Sequence, residues 1–204
     1  MNQEKYLHVS VGDKAMNTII PNKQLDILNT ALRLYYAHGF NSIGIDRIIL
    51  ESNVAKMTYY KYYTAKVNIY EACLNHEVNE IQTGVMDTID RLSKADPVQR
   101  IYSLFSWFYN RANIAGYNGM LYQKARAELS NDSCFEIIDN YYAWLDQLIN
   151  DLFNKAKLSQ PDIKTKIATT FIDGMLQAPK RVSYADLSVF LNSLICTSDH
   201  QTIV

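Results

Sequence analysis

The stretch Ala55-Lys-Met-Thr-Tyr-Tyr-Lys-Tyr-Tyr-Thr-Ala-Lys66 places three lysines, two threonines and four tyrosines in one short run, with no acid among them. The acid-free run extends from Ser52 to Tyr70. At helical spacing Val54, Tyr59 and Tyr63 fall on one side and would pack inward, whereas Lys56, Thr58, Tyr60, Lys61 and Tyr62 project outward. Lysines bring charge to phosphates, and Thr58 and the tyrosine hydroxyls can donate hydrogen bonds to phosphate oxygens or base edges. A merely solvated amphipathic helix would share this composition. The elements on either side decide between the two.

Upstream, Ser52 and Asn53 break a short helix in which Ile45, Ile48 and Ile49 share a face, and Gly44 can cap its start without steric cost. Before that, Leu25, Leu28, Leu32 and Tyr35 recur at i, i+3, i+7 and i+10, and Gly39 after His38 reads as a helix stop. Three short helices joined by tight breaks, the third basic and hydroxyl-rich, form the layout of a helix-turn-helix. In that arrangement one helix braces the backbone while the next enters the major groove.

Composition agrees once it is divided along the chain. The 204 residues carry a net charge of -1, which by itself argues against a nucleic-acid partner. Residues 1–70, however, hold eight lysines and arginines against five acids, a net of +3, and the remainder holds twelve against sixteen, a net of -4. A small anion-binding module on a larger acidic body would produce this asymmetry. Hydrophobic residues make up 48% of the chain, with only seven glycines and four prolines, so a folded, all-α protein is expected. No apolar run reaches the roughly 20 residues of a membrane span, and Met1 to Asp13 lacks the layout of a signal peptide, so the expected location is cytoplasmic. Cys73, Cys134 and Cys196 form neither a C-x-x-C pair nor an even disulfide framework and read as reduced thiols.

Downstream, a long helix is expected from about Lys66 to Leu92. Asp96-Pro97 then reads as an N-cap followed by proline at the first helical position of the next helix, which runs to about Asn113. Breaks at Gly116 to Gly119, Ser130 to Ser133, Ser159 to Asp162 and Ala178 to Ser183 leave helices of about 120–129, 134–157, 163–177 and 184–196. The expected organisation has four parts: a flexible arm at 1–23, a DNA-binding domain at 24–70, a helical ligand-binding and dimerisation domain at 71–198, and a tail at 199–204. About nine helices are expected in all.

The segment Gly39-Phe-Asn-Ser-Ile-Gly-Ile-Asp-Arg-Ile-Ile through Val54, followed by Thr58-Tyr-Tyr-Lys-Tyr-Tyr-Thr-Ala-Lys66, resembles the TetR family of transcriptional regulators. That family shows Gly-aromatic, a capped second helix, a Gly-Val turn, then Thr-Leu-Tyr-x-His-Phe-x-Ser-Lys. Further along, Gly119-Met-Leu-Tyr-Gln-Lys-Ala-Arg-Ala-Glu128 is similar to a Gly-Cys-x-Phe-x-Asn-Ala-x-x-Glu segment of the family's ligand-binding domain. The resemblance implies that Thr58, Tyr60, Tyr62 and Lys66 contact DNA, with Lys56 and Lys61 reading or flanking the groove and Gly44 at the start of the bracing helix. Several positions depart from the pattern. Asn53 stands for the turn glycine, which asparagine tolerates because it enters the left-handed region more readily than most residues. Ala55 stands for a capping serine, Met57 for a small residue, Tyr62 for a histidine and Ala65 for another serine, so Thr64 is expected to cap the fourth helix instead.

For the body, the resemblance implies a small-molecule effector site. Trp107, Phe108, Tyr122, Tyr141 and Trp144 offer apolar surface with polar tips, and Arg111, Gln123 or Arg126 could orient a polar end of an apolar or aromatic effector. Phe171, Ile172, Gly174 and Met175, then Leu187, Phe190, Leu191 and Leu194, form apolar stripes on the last two helices. They either close the core of one chain or, as the resemblance implies, form a two-fold interface. A homodimer suits a pseudo-palindromic double-stranded operator with half-sites roughly 34 Å apart. The enzyme alternative finds no Gly-x-Ser-x-Gly, Gly-x-Gly-x-x-Gly, P-loop or His-Glu-x-x-His segment. The i, i+4 pair His76 and Glu80 reads as a solvated face rather than a metal site, and no cofactor is expected. A helical protein-binding adaptor without DNA binding is the other alternative.

Overall fold

A computed structural model describes residues 22–92, 96–178 and 181–195. Among these residues nine helices follow in order: α1 (Lys23–His38), α2 (Ile45–Glu51), α3 (Lys56–Tyr62), α4 (Lys66–Asp90), α5 (Pro97–Ala112), α6 (Leu121–Glu128), α7 (Asp132–Lys155), α8 (Pro161–Gln177) and α9 (Tyr184–Ile195). None is long and apolar enough to cross a membrane. Most of the arm expected at 1–23, and the tail at 199–204, lie outside the described residues. Lys23 is already helical, because Asn22 caps α1 by accepting a hydrogen bond from the Leu25 amide at 3.3 Å.

The stripe expected on α1 is buried at Leu32 and Tyr35 but extends to residues the spacing did not single out. Leu25 is exposed and Leu28 only half-buried, whereas Ile27, Ala31, Leu34 and Tyr35 are buried. These four also repeat at i, i+4, i+7 and i+8, and they meet the buried Phe40, Ile43, Ile48 and Tyr59 of the head. Counting leucines alone missed the smaller and β-branched members of the same helix face. Tyr35, Phe40 and Tyr70 pack as a ring cluster with centroids 4.6 to 5.5 Å apart, which ties α1 to α4.

Helix α4 serves both halves of the molecule. Its start packs on α1, and its later turns pack against α5 and α7 of the body, where α5, α7 and α8 close around one another. Gly84 lets the Trp107 indole lie directly on the α4 backbone, since a Cβ there would stand 2.8 Å from the ring. α5 and α8 each begin with proline, at Pro97 and Pro161, where the missing N–H has no intrahelical partner to lose.

The junction between head and body is built around Glu77, a fully buried carboxylate on α4. It accepts hydrogen bonds from the amides of Leu121 (2.7 Å) and Tyr122 (2.9 Å), the first residues of α6, and from the Tyr36 hydroxyl of α1 at 2.7 Å. Met120, the N-cap of α6, offers no side-chain cap of its own, so Glu77 supplies it from another helix. The α6 segment then reaches back to the head. Lys124 and Asn118 both donate to the Tyr36 carbonyl at 2.6 Å, and Glu128 accepts from the Asn41 amide at 2.9 Å. Gly39 makes that last contact possible, with φ at +78° and the Glu128 carboxylate where a Cβ would otherwise sit.

Burial raises the Glu77 pKa above the usual carboxylate range, against the pull of its three donors. Stability linked to this group is therefore present in acid and lost as pH rises through the raised folded value. Glu77→Leu keeps an apolar side chain of similar size but orphans two amides and a hydroxyl. Thermal denaturation should show a loss of about 1–3 kcal/mol per orphaned group, with that part of the pH slope removed. An unchanged melting temperature would contradict the role given to Glu77.

Candidate nucleic-acid interface

The turn before α3 depends on Asn53, which adopts the left-handed region at φ +52°, as the sequence reading required. Downstream of it α3 divides its side chains by face. Tyr59 and Tyr63 are buried against the head, and Val54 is half-buried beside them. Lys56, Met57, Tyr60, Lys61 and Tyr62 are exposed, and Thr58 and Lys66 are half-buried at the margins. Tyr60 and Tyr62 are 39% and 37% exposed, so each ring rests one edge on the protein and turns the other outward.

Other head cations are already engaged. Arg33 and Arg47 both bind Glu51, at 2.7 and 2.8 Å, and hold its carboxyl below the usual range. Lys56 stands 3.6 Å from Asp46, with both side chains exposed, a pair too wet to hold the lysine firmly. The ammonium groups of Lys61 and Lys66 lie 5.8 and 5.4 Å from the ring centres of Tyr62 and Tyr70. Each ammonium thus sits near an aromatic face, on an exposed side chain at Lys61 and a half-buried one at Lys66.

The capping pattern differs in part from expectation. Gly44 is the N-cap of α2, but its φ of -88° suits any residue, and nothing lies within 4 Å of where a Cβ would be. Its glycine character leaves open space at the start of α2. Thr64 does not cap α4, because Ala65 is the N-cap. The cap interaction comes from Asn68, whose Oδ1 accepts from the Ala65 amide at 3.0 Å and from the Thr64 hydroxyl at 2.9 Å. Thr64 sits one residue too early and orients Asn68 instead.

The eight body residues picked from the sequence do not share one site. Trp107 and Arg111 line an open groove of about 350 Å³ with Thr88, Ser103, Ser106, Asn110 and Ile114. Phe108 faces away from it into the core, edge-on to Trp107. Tyr122 and Tyr141 pack with Tyr142 and Trp144 in a second place, with ring centroids 4.9 to 6.1 Å apart. Arg126 lies outside both, paired with Asp139 and over the Phe135 ring.

The aromatic cluster is organised by Asp173, a residue the sequence reading passed over. Its carboxylate accepts from the hydroxyls of Tyr122 (2.9 Å) and Tyr142 (2.8 Å), and Gln123 donates to its backbone carbonyl at 3.2 Å. Burial raises its pKa. Glu77 and Asp173 share one signal that could have found them, a single acid on an otherwise inward-facing helical stripe. Glu77 lies between Cys73 and Ile81, and Asp173 between Thr169 and Leu176.

On the last two helices, Ile172, Met175, Leu187, Leu191 and Leu194 are buried within the chain's own core. Phe171 and Phe190 stack on each other at 3.8 Å, next to Phe105. The buried members of the two stripes thus contribute to the chain's own core, with Phe171 and Phe190 half-buried at its edge. Gly174 alone of the group is exposed, in line with Ile163, Ile167 and Thr170 on the outer face of α8.

His76 and Glu80 stand 3.6 Å apart, and Glu80 also lies 3.7 Å from Arg111. Among the described residues no three His, Cys, Asp or Glu side chains gather as metal ligands. Burial pushes the Cys134 thiol up to about 11 and the Cys73 thiol higher still, so both are protonated near neutrality and poor nucleophiles. Cys196 lies outside the described residues.

The division of α3 into two faces is open to direct measurement. Tyr59→Ala should cost about 3–5 kcal/mol in thermal denaturation, as for other large buried rings, whereas Tyr62→Ala should stay within about 0.5 kcal/mol. Equal losses at the two positions would mean that the helix is rotated from the orientation described.

Residues 27–73 match the family model for bacterial regulatory proteins of the tetR family. Over 83 residues the chain is 29% identical to MftR of Mycobacterium tuberculosis, named for transcriptional regulation of mycofactocin biosynthesis; the match spans 40% of this chain and 41% of that protein. Among solved structures, the fold is similar to that of SCO4454, a TetR-family regulator from Streptomyces coelicolor, with a TM-score of 0.74 at 20% identity over 84% of this chain and 92% of that one. It is similar also to a TetR regulator from Legionella pneumophila, with a TM-score of 0.71 at 14% identity over 86% and 97% of the two chains. Residues 27–73 thus match the tetR family of bacterial regulatory proteins, and the described residues share the fold of these TetR-family structures.

Proposed function

We propose that this protein is a DNA-binding transcriptional repressor that works as a homodimer and whose hold on its operator is changed by a small apolar or aromatic molecule bound in the helical body. The observation that carries the reading is the outward face of α3, where lysines and hydroxyls stand exposed on a helix whose inner face is locked by Tyr59 and Tyr63. Two heads on a two-fold axis would engage successive major grooves of a pseudo-palindromic site. The exposed line of Ile163, Ile167, Thr170 and Gly174 on α8 suits close approach of a second copy better than the buried leucines of α9 do.

The route by which an effector acts follows from the junction. α6 is capped by Glu77 and fastened to α1 and the following loop through Lys124, Asn118 and Glu128. An effector that shifts α6 in the body therefore shifts the head, and the population of chains whose heads match the operator changes. The coupling is reciprocal, so DNA changes effector affinity by the same factor and in the same direction. We read the protein as a binder rather than an enzyme, since the chemistry displayed on it is recognition chemistry.

Equilibrium binding to duplexes flanking the protein's own coding region, measured across a range of salt, tests the reading. Log affinity should fall linearly with log salt, and Lys61→Ala or Lys66→Ala should each reduce the slope by about one while leaving the fold intact. Absence of any duplex binding at low ionic strength, or binding indifferent to salt, would overturn it in favour of a protein-binding adaptor.

A further inference from the structure

Met57 is 85% exposed, more than any other large apolar side chain among the described residues. It stands on the outward face of α3 beside Lys56 and close in sequence to Thr58, Tyr60 and Lys61, the residues expected to meet DNA. At that exposure the side chain buries little apolar area in the folded monomer. Neither the core nor the inner face of the helix uses it. The cations around it would draw this face against a polyanion, whose phosphates they neutralise while Met57 contributes no charge.

We infer that Met57 is a specificity-determining residue that makes apolar contact with the C5-methyl group of a thymine in each operator half-site. The inference rests on the DNA-binding reading above and extends it to sequence choice. In the major groove thymine is the one standard base that presents a methyl group, whereas cytosine carries only a hydrogen at C5, beside the amino donor on C4. A thioether offers no strong hydrogen bond to that donor, whereas its polarisable, unbranched chain adapts well to a methyl surface. The neighbouring groups, Lys56, Thr58 and Lys61, are suited to phosphates and to acceptor atoms on purines. Met57 would thus add a preference for T·A at one position, which charge and hydroxyls alone do not supply.

The test begins by selecting the preferred duplex from a randomised pool with the full-length wild-type protein. Each thymine of the selected half-site is then replaced by deoxyuridine, which removes the methyl and nothing else. At one thymine per half-site, replacement should weaken wild-type binding about fourfold, and about fifteenfold when both half-sites are changed, the value of one buried methyl each. Met57→Ala should bind thymine and uracil duplexes equally at that position, with the effects at other thymines retained. Met57 is exposed, so this variant should melt like the wild type.

If no thymine shows a loss that Met57→Ala abolishes, the inference fails while the DNA-binding reading stands. If the wild type enriches no duplex at low salt, the reading beneath it fails as well.

Discussion

The Glu77 carboxylate is the point at which the two halves of this molecule become one. A buried acid is costly unless its lone pairs are occupied, and the amide groups at the start of a helix are costly unless something accepts from them. Here each problem solves the other. Glu77 lies on the long helix that belongs to both head and body, its acceptors go to the Leu121 and Tyr122 amides, and the Tyr36 hydroxyl of α1 completes the set. Removing any member would leave a buried polar group unsatisfied. The position of α6 relative to the head is therefore specified electrostatically as well as by packing.

Around that anchor the contacts divide into those that set orientation and those left free to act outside the molecule. Glu51 gathers Arg33 and Arg47 and so braces α1 and α2 against each other. The ammonium groups of Lys61 and Lys66 instead rest near the rings of Tyr62 and Tyr70. In the body, Asp173 draws two tyrosine hydroxyls together in a cluster of rings, and the groove beside Trp107 lies elsewhere. The ring cluster is packed interior that α6 borders through Tyr122 and Gln123, and the open groove is a separate feature of the body.

Much of this was legible in the residues. Helix positions followed from apolar periodicity and from Gly39, Asp96-Pro97 and Asn53, because caps and left-handed turns are local in origin. The inner and outer faces of α3 could be assigned from spacing alone. What was not legible required contacts distant in sequence. The stripe of α1 was legible at Leu32 and Tyr35 but not at Ile27, Ala31 and Leu34, because only Phe40, Ile43 and Tyr59 decide how far around the helix the buried face extends. The aromatic residues of the body were recognised as a group, yet no spacing rule shows that Tyr122 and Tyr141 meet near Asp173 while Trp107 and Arg111 do not. Glu77 was overlooked for the same reason, since its partners lie more than forty positions away.

The central claim is that the lysines of the head, and not those of the acidic body, meet a duplex. Lysine acetylation read by mass spectrometry, with and without duplex DNA at low ionic strength, measures this most directly. The account predicts that DNA shields Lys56, Lys61 and Lys66 while Lys155 and Lys166 react as before. Shielding confined to the body, or none at any lysine, would contradict it.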